Sequence, residues 1–268
     1  MRWKRSSDDS DVIDQRSSGG GGMGLPVGLP RAGGGLGILG VVIFLAIQLL
    51  GSGSGSSVAL GPQTVPGAPQ AEDGLRDFSV YVFHDTQDFW AGQVQGYEHA
   101  KLVLYRGGVD TGCGSATPAV GPFYCPRDQR VYLDLSFYYD MPGQLGAKGG
   151  DFAWAYVIAH EMGHHVQQET SPTHPARPRS NAQSVQVELQ ADCYAGVWAH
   201  HVDSSGNLEQ GDVTEALDAA TSVGDDRLQK RATGSINPDS FTHGTSAQRV
   251  AAFERGQANG QPEDCRMS

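Results

Sequence analysis

The chain has 268 residues and a formal net charge of −11, from 19 Lys and Arg against 30 Asp and Glu. Nucleic acid is disfavoured as a partner, because neutralising phosphates takes clustered basic side chains and this chain repels polyanions overall. Its 37 glycines concentrate between Gly19 and Gly61; the rest, roughly 190 residues, has the length of one domain with a core of its own and excludes a coiled coil, a repeat array and a collagen-like chain.

Residues 1–35 are polar and then glycine-rich, with no hydrophobic period, and predict a disordered cytoplasmic arm. From Leu36 to Leu50 the run LGILGVVIFLAIQLL is almost continuously apolar and predicts a transmembrane helix over 36–51, at the short end for a span. A signal peptide cleaved near Ala59 and a buried core helix are the alternatives, and flanking glycine runs speak against the second. Arg2, Lys4, Arg5, Arg16 and Arg31 precede the run, whereas no Lys or Arg lies between Gly51 and Asp73. By the positive-inside rule the N-terminus is then cytoplasmic and the C-terminal part extracytoplasmic, with the lipid bilayer as a partner through one pass. Residues 52–76, Gly/Ser-rich and then Pro-rich, read as a linker, and 77–268 as the folded domain.

Four cysteines, Cys113, Cys125, Cys193 and Cys265, suit an oxidising compartment. Three pairings are possible; closeness in sequence favours Cys113 with Cys125, and Cys193 with Cys265 follows by elimination. Phe78–His84 and Lys101–Arg106 read as strands, and Phe123–Cys125 with Arg130–Phe137 as a hairpin. Val131, Leu133 and Leu135 alternate with Tyr132, Asp134 and Ser136, the pattern of a half-buried strand. After Gly149-Gly150 the period becomes helical: one helix follows Asp151 through Gln168, a second runs from Ser180 or Ser184 to His200, and two more open with the capping boxes Asp212-x-x-Glu215 and Thr245-x-x-Gln248. Strands precede helices, which predicts an α+β fold with a small, mostly antiparallel sheet.

The chemistry lies on the first of these helices, in His160-Glu161-Met162-Gly163-His164. Histidines four apart share a helix face and can reach one zinc ion, while Glu161, a third of a turn away, is placed as a base rather than a ligand. An extension to HExxHxxGxxH is excluded by Gln167 and Thr170. The next helix offers Glu188 and Asp192, again four apart: Glu188 is the expected third metal ligand, and Asp192 the acceptor behind His160. His174, His200 and His201 are rival ligands, read as structural because the first lies in a Pro-rich loop and the other two end a helix.

HEMGH, ELQADCYAGVWA, CGSATPAVGPFYCPRDQRVYLDLSF, GDDRLQK and DSFTHGTSAQR, five separated motifs in order from about Asp77 onward, together resemble the neutral zinc metallopeptidase family of single-pass bacterial membrane proteins. The resemblance implies a minimal zincin-like, gluzincin-type domain with Glu188 as ligand, and an extended peptide substrate lying beside the strand Arg130–Ser136. The expected function is zinc-dependent hydrolysis of a peptide or protein substrate, with a zinc-activated water and Glu161 as general base. His243, just before the last helix, is the candidate donor to the oxyanion, with Tyr138, Tyr139 and Tyr194 as alternatives. A zinc-stabilised binding module without hydrolysis and an amidase acting on wall peptides are the competing readings.

Overall fold

The computed structural model describes residues 1–5, 8–17, 68–117, 120–171, 178 and 180–266. Among them the elements run β1 (Val12–Asp14), α1 (Ala68–Gln93), β2 (Lys101–Tyr105), β3 (Val109–Thr111), β4 (Gly114–Ala116), β5 (Phe123–Cys125), β6 (Arg130–Asp134), α2 (Ser136–Leu145), α3 (Asp151–Thr170), α4 (Asn181–Ser204), α5 (Asp212–Ser222), α6 (Asp225–Thr233) and α7 (Ser246–Asn259). The mixture is α+β, with a four-stranded sheet in the order β1-β2-β6-β5 and a small hairpin of β3 and β4.

The larger sheet is mixed and not mostly antiparallel. β1 with β2 and β2 with β6 are parallel, and only β5 with β6 is antiparallel. The segment from β3 to β5 carries the chain from the end of β2 back to the start of β6, so these strands point the same way. β6 is interior to the sheet, so a peptide cannot add beside Arg130–Ser136 as the resemblance implied; the edge strand on that side is β5, whose residues are themselves buried. The polar face expected on β6 is also covered. Val131, Leu133 and Leu135 join the main core with Trp154 and Ile158, while Tyr132 joins a second cluster with Val103, Phe123 and the Cys113–Cys125 disulfide. Asp134 is buried and accepts from Ser136, which turns the chain into α2 where the strand was expected to continue.

Phe78–His84 is helical, part of α1, and not a strand. Leu75, Phe78, Ser79, Val82, Phe83, Thr86, Gln87 and Trp90 are buried and spaced by three and one alternately, the period of one helix face, with Asp77 and Val80 buried beside that stripe. The aromatic and β-branched residues that suggested a strand fill that face, and Ser79 accepts from the Trp154 indole at 2.8 Å. The capping box at Thr245 forms, but that at Asp212 does not: Asp212 accepts from Glu209 N, and Glu215 from Phe152 N.

Residues 1–5 and 8–17 are not a disordered arm, and the rest of the arm expected over 1–35 lies outside the described residues. β1 pairs with β2 from Val12↔Leu102 to Asp14↔Leu104, Met1 is buried, and Trp3 packs edge-on to Phe78. Of the basic residues read as a cytoplasmic flank, Arg2 pairs with Glu209, Arg5 with Asp77 and Arg16 with Glu72, all on the folded domain, and Arg31 lies outside the described residues. The transmembrane helix expected over 36–51, and most of the linker, lie outside the described residues; α1 begins at Ala68, inside the remainder of that linker. Among the described residues no helix is long and apolar enough to cross a membrane. One crossing between residues 17 and 68 would put β1 and β2 on opposite sides of a bilayer, yet they share a sheet. The single-pass topology, with a cytoplasmic N-terminus and an extracytoplasmic domain, is therefore excluded, and nothing among the described residues supports the bilayer as a partner.

Both disulfides have the expected pairing, Cys113–Cys125 and Cys193–Cys265.

Candidate active site

α3 is buried along nearly its whole length, with Trp154, Ile158, Met162 and Val166 facing core and with His160 and Glu161 buried beside them. It crosses α4 at Gly163, where a Cβ would stand 2.9 Å from the Ala191 carbonyl oxygen. Only glycine permits that approach, and it is what brings Glu188 and Asp192 within reach of the HExxH face.

The donor atoms of His160, His164 and Glu188 all lie within 4.8 Å of one another. His160 Nε2 is 3.2 Å from Glu188 Oε2 and His164 Nε2 is 3.6 Å from Glu188 Oε1. Neither nitrogen is left to chance. His160 Nδ1 is 2.8 Å from Asp192 Oδ1 and His164 Nδ1 is 3.0 Å from Gln167 Oε1, so each ring donates outward from Nδ1 and presents Nε2 to the shared point. His160 Nε2 and both Glu188 oxygens are buried without a hydrogen-bond partner. Buried polar atoms are almost always paired; three orphans converging on one point fit a metal ion that takes their lone pairs. His164 keeps 15% of its side chain exposed, against 2% for His160 and none for Glu188, so the site opens on the His164 side.

Glu161 accepts the backbone N–H of Tyr124, on β5, at Oε2 and 2.8 Å, while its Oε1 is buried and unpartnered. The edge strand thus orients the carboxylate. Burial first, and the repulsion of Glu188 next, push its pKa up to about 8 in the absence of a cation. His160 is moved the other way from what burial alone would do, up to about 9, because Asp192 holds the charged ring. Burial draws His164 down to about 4. Glu188 resists burial and sits at about 2, through the attraction of His164, His243 and His160.

Behind His160 stands a residue that the sequence reading does not nominate. Arg249, from α7 and 1% exposed, donates from Nε to Asp192 Oδ2 and from Nη2 to Asp192 Oδ1, both at 2.8 Å, and Tyr156 Oη donates to the same carboxylate. Despite its burial, Asp192 is held well below the usual carboxylate range by Arg249 and His160. α7 comes this close because Gly196 and Gly256 face each other: a Cβ on either would stand 2.0 Å from a carbonyl oxygen of the other helix. An apolar pocket lined by Phe137, Met141, Leu145 and Val157 borders His160, Glu161 and Arg249.

His243 is 2% exposed, close enough to Glu188 to lower its pKa, and its Nε2 is buried and unpartnered. Asp225, at the start of α6, fixes it: Oδ1 lies 3.3 Å from His243 Nδ1, and Oδ2 accepts the backbone N–H groups of Thr242, His243 and Gly244. Asp225 is the second residue the sequence reading passes over. The alternatives are placed elsewhere: Tyr138 and Tyr139 pack on one another and Tyr194 packs on Trp90. His200 is 2.7 Å from the Gln257 carbonyl oxygen and His201 packs on Phe89, while His174 lies outside the described residues. Asp151, Asp212 and Glu215 also gather within metal-binding distance, but the amino group of Met1, 2.9 Å from Asp151 and 3.2 Å from Asp212, answers their charge.

An uncharacterised Escherichia coli protein, YpfJ, is 45% identical over 282 residues, covering 99% of this chain and 98% of that one. An uncharacterised Mycobacterium tuberculosis protein, Rv2575, is 44% identical over 191 residues, 66% of this chain and 64% of that one. No solved structure matches the chain. The model of the family described as "Putative neutral zinc metallopeptidase" matches residues 1–267, so the chain belongs to the neutral zinc metallopeptidase family.

Proposed function

We propose that the chain hydrolyses peptide bonds as a zinc-dependent peptidase with Glu161 as its base. The observation that carries the reading is the convergence of unclaimed, buried donor atoms from His160 and Glu188 on the Nε2 of His164. Two imidazoles and one carboxylate are the donor set of a catalytic zinc, which leaves a position for water or substrate. When bound, zinc supplies Lewis acidity, polarising a carbonyl and bringing the pKa of water toward neutrality.

The chain's own groups do the rest. Glu161, steadied at Oε2 by Tyr124, accepts the proton of the attacking water at Oε1 and returns it to the leaving nitrogen. Asp192 keeps His160 protonated at Nδ1 and fixed in orientation, and Arg249 offsets the charge of Asp192. Asp225 holds His243 in place at Nδ1, and the ring, doubly protonated with that carboxylate as counter-charge, would donate from Nε2 to the oxygen on which charge develops. The pocket beside Glu161 suits an apolar substrate side chain next to the cleaved bond.

Zinc content and cleavage of a mixed peptide library, compared with Glu161→Gln, test the proposal. Wild type should hold one zinc and cleave, and the variant should keep the metal and lose activity. Zinc retained with no cleavage by either protein would leave a binding module, and cleavage confined to wall-peptide cross-links would make the chain an amidase.

A further inference from the structure

The two histidines of the site are backed by different chemistry. His160 leans on a carboxylate, whereas His164 leans on an amide, and that amide is the first link of a chain leading away from the site. Gln167 Oε1 lies 3.0 Å from His164 Nδ1, and its Nε2 donates to the Val187 carbonyl at 2.7 Å and to Gln190 Oε1 at 3.0 Å. Gln190 Nε2 in turn donates to the Cys265 carbonyl at 2.9 Å. Cys265 belongs to the 3-10 turn Pro262–Cys265 and is bonded to Cys193 on α4, 72 residues earlier.

The direction of this chain is fixed by its partners. The carbonyls of Val187 and Cys265 can only accept, so both glutamines must turn their NH2 groups toward them. Their amide oxygens then face inward, and Gln167 Oε1 can do nothing but accept from His164. The result sets the His164 tautomer: the proton is on Nδ1 and Nε2 is free. Gln167 is 3% exposed, Cys265 2% and Cys193 fully buried, so water offers no substitute partner along most of the path.

We propose that Gln167, Gln190 and the Cys265 carbonyl form a positioning relay for His164, and that the Cys193–Cys265 disulfide, by fixing the last acceptor, is part of what lets the site hold zinc. The inference rests on the reading of His160, His164 and Glu188 as a zinc site. Losing the disulfide frees the turn that carries the acceptor; Gln190 then loses its outer bond and Gln167 one of its two acceptors, so that only the Val187 carbonyl steadies the amide and the imidazole is held less firmly. Partners of this kind behind a metal ligand change affinity by about 10- to 100-fold.

The test is the zinc dissociation constant of the full chain, measured by competition with a chromophoric chelator, for wild type, Gln190→Leu, Cys193→Ser/Cys265→Ser and the combination. Substitution replaces thiol reductants, which would bind the metal themselves. Gln190 is only half-buried, so Gln190→Leu should leave the melting temperature of the metal-free protein near that of wild type. Gln190→Leu and the cysteine pair should each weaken zinc by about 10-fold, and the combination should weaken it no further than the larger single effect, because both cut the same chain. A wild-type constant in Gln190→Leu, or losses that multiply in the combination, would overturn the relay while leaving the zinc site standing. Absence of zinc binding by wild type would instead remove the site itself, and the relay with it.

Discussion

Replacing Arg249 by Met would leave Asp192 ionised in the interior with its strongest partner gone. Breaking one side of a buried ion pair is destabilising by about 3–5 kcal/mol; chemical denaturation of Arg249→Met should show a loss of that order, and a loss under about 1 kcal/mol would mean that Tyr156 and His160 suffice to satisfy the carboxylate. A second residue gives a pH signature. Asp85 accepts the Trp198 indole at 2.8 Å, and burial raises its pKa above the ordinary value. The folded state therefore binds the proton more tightly than the unfolded chain: the associated stability is present below the unfolded pKa of about 3.9 and is lost as pH rises through the folded one. Asp85→Asn, which keeps an acceptor for Trp198, should melt higher than wild type at pH 7 and converge with it toward pH 4. An equal difference at both pH values would contradict the assignment. Arg249 and Asp225 escape a reading of the sequence for one reason. HExxH announces itself by local spacing, as does the Glu188/Asp192 pair, but Asp225 meets Thr242, His243 and Gly244 across the α6–α7 connection, and Arg249 meets Asp192 across a helix interface.

Among the elements, α3 and α4 define the site by how closely they cross. Gly163→Ala would press a methyl against the Ala191 backbone and force the helices apart. Overpacking of this kind destabilises by about 1–3 kcal/mol, and because the displaced helix carries Glu188, zinc affinity should fall with it; isothermal titration with zinc showing an unchanged constant would place the tolerance of the crossing above this estimate. The helical period of α3 and α4 was legible because their apolar stripes are long and, for α4, because Ser180 caps it; Asp151, read as a cap, is instead the first residue of α3, which Gly150 precedes without a side-chain cap. α1 was not, since its seven residues from Phe78 to His84 are rich in residues that also suit strands, and only the longer spacing from Leu75 to Trp90 separates the two readings. Strand direction was equally hidden: whether a sheet is parallel depends on which strand lies beside which, and β1 enters the sheet from a stretch whose own composition is polar.

For the molecule as a whole, residues 1–5 and 8–17 belong to the domain. Asp9 pairs with Arg76 at 2.7 Å, β1 covers the edge of β2, and Met1 is buried against the start of α3 and α5. Deleting residues 1–17 should lower stability by at least about 2 kcal/mol, the burial of the Met1 side chain alone, and thermal melting of the truncated chain beside the full chain measures it. An unchanged melting temperature would show that the segment only rests on the surface. The pairing of β1 also orders events in time. β1 is made before its neighbour and can pair only after residues 101–105 have been synthesised, so the sheet edge stays open while the intervening chain is made. Closure of that long loop must be set against the contacts it brings, which makes docking of the N-terminal strand a late step in folding and its amides among the last to gain protection from hydrogen exchange.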